Sequence, residues 1–254
     1  LPAAQLTPLL LTAGGAPGAD ADAAAGAALL NGWDFTMTRD SAAAAVFEAA
    51  AGNLARDLIE PALGKATYEV YRGGYSSSGI YSVLLRQLLT PAAPFFTGDA
   101  AAARDAMVAR ALGEAVRQLR SRLGPNPANW RWGDLHQATF AHPLASVKPL
   151  DRLFGVAPVA RPGDSVTVSV GGDGGFSNDP PEYAQHTVSS MREIIDLSAL
   201  DHSLWVITTG ESGVPFSSHY DDLVPLWDGN QYQQMAYSAE AEAAAAVDIL
   251  VLKP

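Results

Sequence analysis

Apolar residues recur every three or four positions from Leu1 to about Gly124, the spacing that lines one face of an α-helix. The pattern predicts a short helix over residues 5–12, a flexible Ala/Gly/Asp segment over 14–25, and an apolar turn through Leu29, Leu30 and Trp33. A long helix is expected over 42–63. Ser41 stands where its side-chain oxygen can accept from the free N–H groups of the first turn, and Val46, Phe47, Leu54, Leu58 and Ile59 supply the stripe to be buried. Pro61 should bend the end of that helix. Another helix fits 80–89 and stops at Thr90-Pro91. Asp99 caps a further one over 100–123, with Met107, Val108, Leu112, Val116 and Leu119 on one side, and Gly124-Pro125 ends it.

After Pro125 the period shortens. Brief β-type runs alternate with Gly, Pro, Asn and Asp. Residues 165–170 read Ser-Val-Thr-Val-Ser-Val, a strict alternation that predicts a strand with one face inside and one outside. Further strands are expected over 187–197, 204–208 and 247–252, with two helical turns over 221–227 and an Ala/Glu helix or linker over 239–246. Helices first and strands later make an α+β chain, not a series of βαβ units, with a helical region over 1–124 and a β-rich region over 125–254.

Charge narrows the function. The 254 residues carry 16 Lys+Arg against 27 Asp+Glu, a net −11, and no cluster of cations offsets it, so binding to nucleic acid or to anionic lipid is not expected. Cysteine is absent, which removes disulfides, zinc–thiolate sites and cysteine nucleophiles. No window approaches the ~18 apolar residues of a membrane helix. With 48% hydrophobic and 17% charged residues, the chain has material for a packed core.

Candidate chemistry is sparse. Gly210-Glu211-Ser212-Gly213-Val214-Pro215 sets a serine between glycines, but Val214 breaks the G-x-S-x-G nucleophile elbow, and a turn whose glycines need positive φ is the better reading. His219, beside Asp221 and Asp222, lies close enough in sequence to join Ser212 in a Ser/His/Asp set without requiring it. The remaining histidines, His136, His142, His186 and His202, form no metal-binding helix pair, so hydrogen-bonded structural imidazoles are expected and no metal site. The loop Gly171-Gly172-Asp173-Gly174-Gly175-Phe176-Ser177-Asn178-Asp179 lacks EF-hand spacing and reads as a surface connection instead of a calcium site. Asp20 and Asp22 read as solvated carboxylates. Trp130 and Trp132, two apart, would share a face in an extended segment and serve a core.

Taken in order, these stretches resemble the C-terminal part of the β subunit in the penicillin acylase (penicillin amidase) family of N-terminal-nucleophile (Ntn) hydrolases. The resemblance is carried by Asn129-Trp130-x-Trp132-Gly133-x-Leu135-His136 with Phe140-x-His142-Pro143-Leu144, by Gly163-Asp164-x-x-Thr167-Val168, and by Ser190-x-Arg192-x-x-Ile195-Asp196-Leu197. It continues through Gly210-x-Ser212-Gly213-x-Pro215-x-Ser217-x-His219-Tyr220-x-Asp222, then Trp227, Gly229 and Tyr232, and more loosely through Leu30-x-x-Trp33-Asp34. Glu211 stands where the family usually has Gln.

The resemblance implies an αββα sandwich and hydrolysis of a linear amide in an N-acylated substrate such as a β-lactam, an acyl-homoserine lactone or a lipopeptide. In such enzymes a serine freed at the start of the β subunit attacks the acyl carbon, its own α-amine serving as base, while backbone N–H groups and an Asn hold the oxyanion. Leu1 has no nucleophilic side chain, so the resemblance transfers no catalytic residue, leaves the substrate-binding residues unassigned, and implies no cofactor. It implies a scaffold role in association with the α subunit and the N-terminal part of the β subunit, inactivity of this chain alone, and export to the periplasm or cell exterior. Apolar stripes such as Val46, Phe47 and Leu54 would then be exposed, as would open strand edges. The competing expectation is a non-catalytic secreted binding or structural module with an acylase-like shell.

Overall fold

The computed structural model describes residues 2–74, 77–140, 142–172, 183–185, 187–247 and 250–252. The chain divides into two compact units, Leu1–Thr139 with Pro158–Val188, and Phe140–Ala157 with Ser189–Pro254.

The first unit is built on helices α1 (Pro2–Gly14), α2 (Ala21–Leu30), α3 (Ala42–Leu63), α4 (Lys65–Gly74), α5 (Ser77–Leu89) and α6 (Ala100–Leu123). The caps of the two long helices are those expected: Ser41 Oγ accepts from the Ala44 N–H at 3.0 Å, and an Asp99 oxygen from the Ala102 N–H at 3.1 Å. Gly64 and Gly124 end them at φ of 76° and 94°, where an L side chain would be strained. Pro61 stands within α3.

Two segments depart from the sequence pattern. The stretch expected to be flexible contains α2, which forms because Asp20 caps it and because its small face packs on α6. A Cβ at Gly26 would come within 2.7 Å of Leu112 Cδ1, and one at Gly14 within 2.9 Å of Leu112 Cδ2. Asp20 and Asp22 are not simply solvated: they pair with Arg117 at 2.6 and 3.3 Å, and Asp22 with Arg120 at 2.7 Å. Helix α4 gave no periodic signal long enough to be recognised. It holds Tyr68, fully buried, and burial pushes the phenol up to about 12.

Val46, Phe47 and Leu54 are buried at 0%, 1% and 1% exposure. The expected exposure of this stripe is therefore wrong. The other helices of the same unit cover it, with Phe47 stacked on Tyr81 and tilted against Trp33. Between α3 and α6, Arg56 bridges Asp57 and Glu114 at 2.8 Å each, and Arg110 reaches Asp57 at 2.9 Å.

The strands are short: β1 (Gln137–Phe140), β2 (Val156–Ala160), β3 (Gly171–Gly172), β4 (Thr187–Val188), β5 (Met191–Ile194), β6 (Leu204–Ile207) and β7 (Gln233–Gln234). They pair as β1-β2, β3-β4 and β5-β6-β7. The run 165–170 is not a strand. Asp164 Oδ1 accepts from the Val166 N–H at 2.7 Å and Thr167 Oγ1 from the Asp164 N–H at 2.8 Å, so side chains take the donors a ladder would need. Residues 247 and 250–252, expected in a strand, form none, while 248 and 249 fall outside the described residues.

The remaining helices are short: α7 (Trp132–Leu135) in the first unit, and α8 (Asp151–Phe154), α9 (Val224–Asp228) and α10 (Ala239–Ala245) in the second. Antiparallel pairing sets Arg192 opposite Val206 and Glu193 opposite Trp205. Arg192 and Val206 thus share one sheet face, and there Arg192 donates to the Trp227 carbonyl and the Asn230 side-chain oxygen and lies over the Tyr232 ring. Val206 and Trp227 are buried. The opposite face carries Met191, Trp205 and Ile207, with Met191 56% exposed.

Candidate functional site

Within the second unit a cleft of about 350 Å³ opens beside β6. Three aromatic residues line it, Phe140 from the end of β1, Phe154 from the end of α8, and Tyr220. Polar residues line it as well: His142, Thr208, Thr209 and Ser212. His142 caps the 3-10 turn Pro143–Ser146, its Nδ1 accepting from the Leu144 N–H at 3.1 Å, so the ring proton sits on Nε2. Its ring stacks on Phe154 at 4.7 Å.

Ser212 reaches this cleft through a self-satisfied loop. The Ser212 N–H donates to the His219 carbonyl at 3.0 Å, and the Leu223 N–H to the Thr209 carbonyl at 2.8 Å, closing the loop's base. Ser212 Oγ accepts from the Val214 N–H at 3.1 Å, and Ser217 Oγ does the same for His219. The glycine at 210 is required by contact, not by positive φ: a Cβ there would lie 2.2 Å from the His219 carbonyl oxygen. Tyr220 fixes the loop by donating its O–H to the Phe154 carbonyl at 2.7 Å.

The Ser/His/Asp set does not assemble. His219 Nδ1 pairs with Asp222 Oδ2 at 2.8 Å and lines a second cleft with Glu211, and among the described residues no hydrogen bond joins its ring to the Ser212 hydroxyl. The structure brings Ser212 to the same cleft as His142 instead. Phe154, Thr208 and Thr209 had no signal in the sequence, because only tertiary structure carries them to the motif residues.

In the first unit, His136 forms a second polar centre, wholly buried. Trp132 stacks on it at 4.6 Å and donates its indole N–H to the Gly163 carbonyl at 2.7 Å. Since the Tyr183 carbonyl only accepts, His136 Nδ1 carries the proton to it at 2.8 Å, and Nε2 accepts from the Gln185 amide at 2.6 Å. Burial holds the imidazole down at about 4, with the Arg161 charge adding to the effect and the Tyr183 hydrogen bond opposing it. A neutral histidine enclosed in this way is a packing element. The two indoles do not share an extended face: Trp130 follows a 3-10 turn and donates to the Gly124 carbonyl at 2.8 Å, while Trp132 begins α7, and both are buried.

Among the described residues no group of three or more His, Asp or Glu side chains could hold a metal ion. His186 and positions 173–179 of the glycine loop lie outside the described residues. His202 is exposed, 4.0 Å from Asp196. Asp222 is committed to His219, and Asp221 has its N-terminal turn role through the Val224 N–H on its carbonyl.

The family model for penicillin amidase matches residues 1–244. The penicillin acylase 2 proenzyme of Pseudomonas sp. (strain SE83) is 34% identical over 143 residues, covering 56% of this chain and 18% of that protein. The acyl-homoserine lactone acylase QuiP of Pseudomonas syringae pv. tomato is 31% identical over 138 residues, 52% of this chain and 16% of the relative. QuiP of Pseudomonas aeruginosa is 25% identical over 232 residues, 83% of this chain and 26% of its own. The chain thus spans between 16% and 26% of the length of these relatives. The fold is similar to that of thermostable penicillin G acylase from Alcaligenes faecalis, with a TM-score of 0.52 and 16% identity over 99% of this chain and 46% of that one. Since the family match runs through the helices and the strand-bearing motifs alike, the chain belongs to the penicillin amidase family.

Proposed function

We infer that this chain is the scaffold portion of an acylase that hydrolyses the linear amide of an N-acylated substrate, a β-lactam, an acyl-homoserine lactone or a lipopeptide. The family match over residues 1–244 is the observation that carries the reading. In the reaction a serine at a newly freed N-terminus attacks the acyl carbon, with its α-amine taking the hydroxyl proton. The amine product leaves, and water releases the acid from the acyl-enzyme. The nucleophile comes from acylase sequence outside this chain, and the chain's strands extend the αββα sandwich that holds it. Support for a role other than catalysis comes from Ser212, whose oxygen closes a turn and whose hydroxyl has no histidine hydrogen-bonded to it among the described residues. A reactive serine needs a base on its hydroxyl.

The test is release of free amine from N-acyl-homoserine lactone and from penicillin G. The chain alone should give none, the chain combined with the nucleophile-bearing acylase polypeptide should give turnover, and Ser212→Ala should preserve it. Turnover by the isolated chain that is abolished by Ser212→Ala overturns the reading in favour of an independent serine hydrolase. Failure of the combined material to cleave either substrate favours the non-catalytic shell.

A further inference from the structure

We propose that Asn31 is a site of spontaneous chemical modification: its side-chain amide is lost to an imide formed with the Gly32 nitrogen, and the aspartate and isoaspartate that follow loosen the end of α2. The inference stands apart from the acylase reading and does not rest on it.

Asn31 is the one asparagine of the chain that precedes a glycine. It caps the C-terminus of α2, its N–H donating to the Ala27 carbonyl at 3.0 Å, and both it and Gly32 are exposed. With φ −67° and ψ 123° at Asn31, φ 77° at Gly32, and the Trp33 N–H on the Leu30 carbonyl at 3.2 Å, these residues make a type II turn. The peptide between Asn31 and Gly32 is the middle one of that turn. Among the described residues neither its carbonyl nor the Gly32 N–H has a hydrogen-bond partner, the Asn31 side chain has none either, and a Cβ on Gly32 would meet nothing within 4 Å. Attack requires this peptide to rotate toward the side chain, and no hydrogen bond on either of its groups resists. Other positions lack one of these conditions. Asn126 precedes Pro127, which has no N–H. Asn53 is buried and its amide donates to the Ala111 carbonyl at 3.1 Å. Asp228 precedes Gly229, but that N–H is held by the Pro225 carbonyl at 2.9 Å.

Water is the only co-reactant. The Gly32 nitrogen bonds to the Asn31 side-chain carbonyl carbon and gives its proton to solvent, the carbon–nitrogen bond of the side-chain amide breaks, and ammonia leaves with a proton from water. Water then opens the cyclic imide at one carbonyl or the other, giving aspartate or isoaspartate, and nothing is oxidised or reduced. Either product sets a negative charge at the C-terminal end of α2, the negative pole of the helix. Isoaspartate also adds a methylene to the backbone of the turn that delivers Trp33 to Phe35 and Phe47, each 5.6 Å away between ring centroids.

Incubation of the full chain, folded, in mildly alkaline buffer, followed by digestion and mass spectrometry with chromatographic separation of the two products, tests the assignment. An unincubated sample digested alongside gives the background. The peptide containing Asn31 should lose its amide, with isoaspartate the larger product, while Asn53 and Asn126 stay unchanged. Gly32→Ala should slow the conversion several-fold, because a Cβ crowds the attacking nitrogen and restricts the turn. Melting curves show whether that variant folds; where it does not, the isoaspartate fraction in the parent chain decides. Converted chain, separated by its added charge, should melt below the unconverted chain. An intact Asn31 amide, aspartate without isoaspartate, or conversion unslowed in folded Gly32→Ala overturns the site, and equal melting temperatures overturn the loosening of α2. None of these outcomes depends on whether the chain belongs to an active acylase.

Discussion

The helical unit and the strand-bearing unit bury their apolar residues to different degrees. In the first, the α3 stripe and its counterpart on α6 are covered, with Leu112, Val116 and Leu119 at 1% exposure or less. In the second, Met191, Ile194, Ile195 and Leu197 along and after β5 are 47–88% exposed, and β5 is the outer strand of its sheet. A helix satisfies its backbone internally and needs one face covered, which neighbouring helices can do. Three short strands leave both an edge and a face open. The first unit thus holds a core of its own, whereas the second gathers a small one around Val206, Leu223 and Trp227. An outer, exposed strand of the kind the family resemblance led us to expect is found in the second unit.

The sharpest way to break this contrast is Leu112→Ala. The side chain is fully buried and fills the space that Gly14 and Gly26 leave, so the change should cost about 4 kcal/mol in urea unfolding. Gly26→Ala in the native background should also destabilise, by about 1–3 kcal/mol, because its Cβ collides with Leu112. Combined with Leu112→Ala it should cost less than the sum, since the new methyl enters the cavity. An additive double mutant would show that α2 does not rest on α6 as described.

A smaller effect is tied to pH. The unfolded His136 protonates near 6.5 and the folded one only near 4, so between those values the unfolded state binds more protons. The contribution is fully present above about pH 6.5 and is lost as the pH falls, reaching roughly 3 kcal/mol by pH 4. His136→Gln should flatten stability against pH over this window, although its own stability is lower. An unchanged slope would mean that the imidazole is accessible to protons in the folded state.

The smallest effect belongs to the exposed strand. Ile194→Lys should change stability by no more than about 0.5 kcal/mol and raise solubility, because that side chain is already half in water. Val206→Lys, one strand away and wholly buried, should unfold the second unit. Equal effects at the two positions, measured by thermal melts and light scattering, would erase the distinction between the sheet's covered and open positions.

Local chemistry alone determined much of the first unit. The caps at Ser41 and Asp99, the stripes they begin, and the glycine stop at Gly124 depend on neighbours within one or two turns, so they were readable in order along the chain. The motifs around Trp132, Ser212 and Tyr220 were likewise legible as a family resemblance, and Ser212 as a turn residue. Tertiary structure decided the rest. Helix α2 exists because Leu112, more than eighty residues later, receives its small face. The alternating run after Asp164 is a turn because two side chains capture its backbone donors. The cleft depends on Phe154 and Thr208 being carried to the same place as Ser212, a convergence for which no local spacing provides a signal. Helix boundaries follow from hydrogen bonds that close over four residues, whereas strands and clefts need partners that only the folded chain brings near.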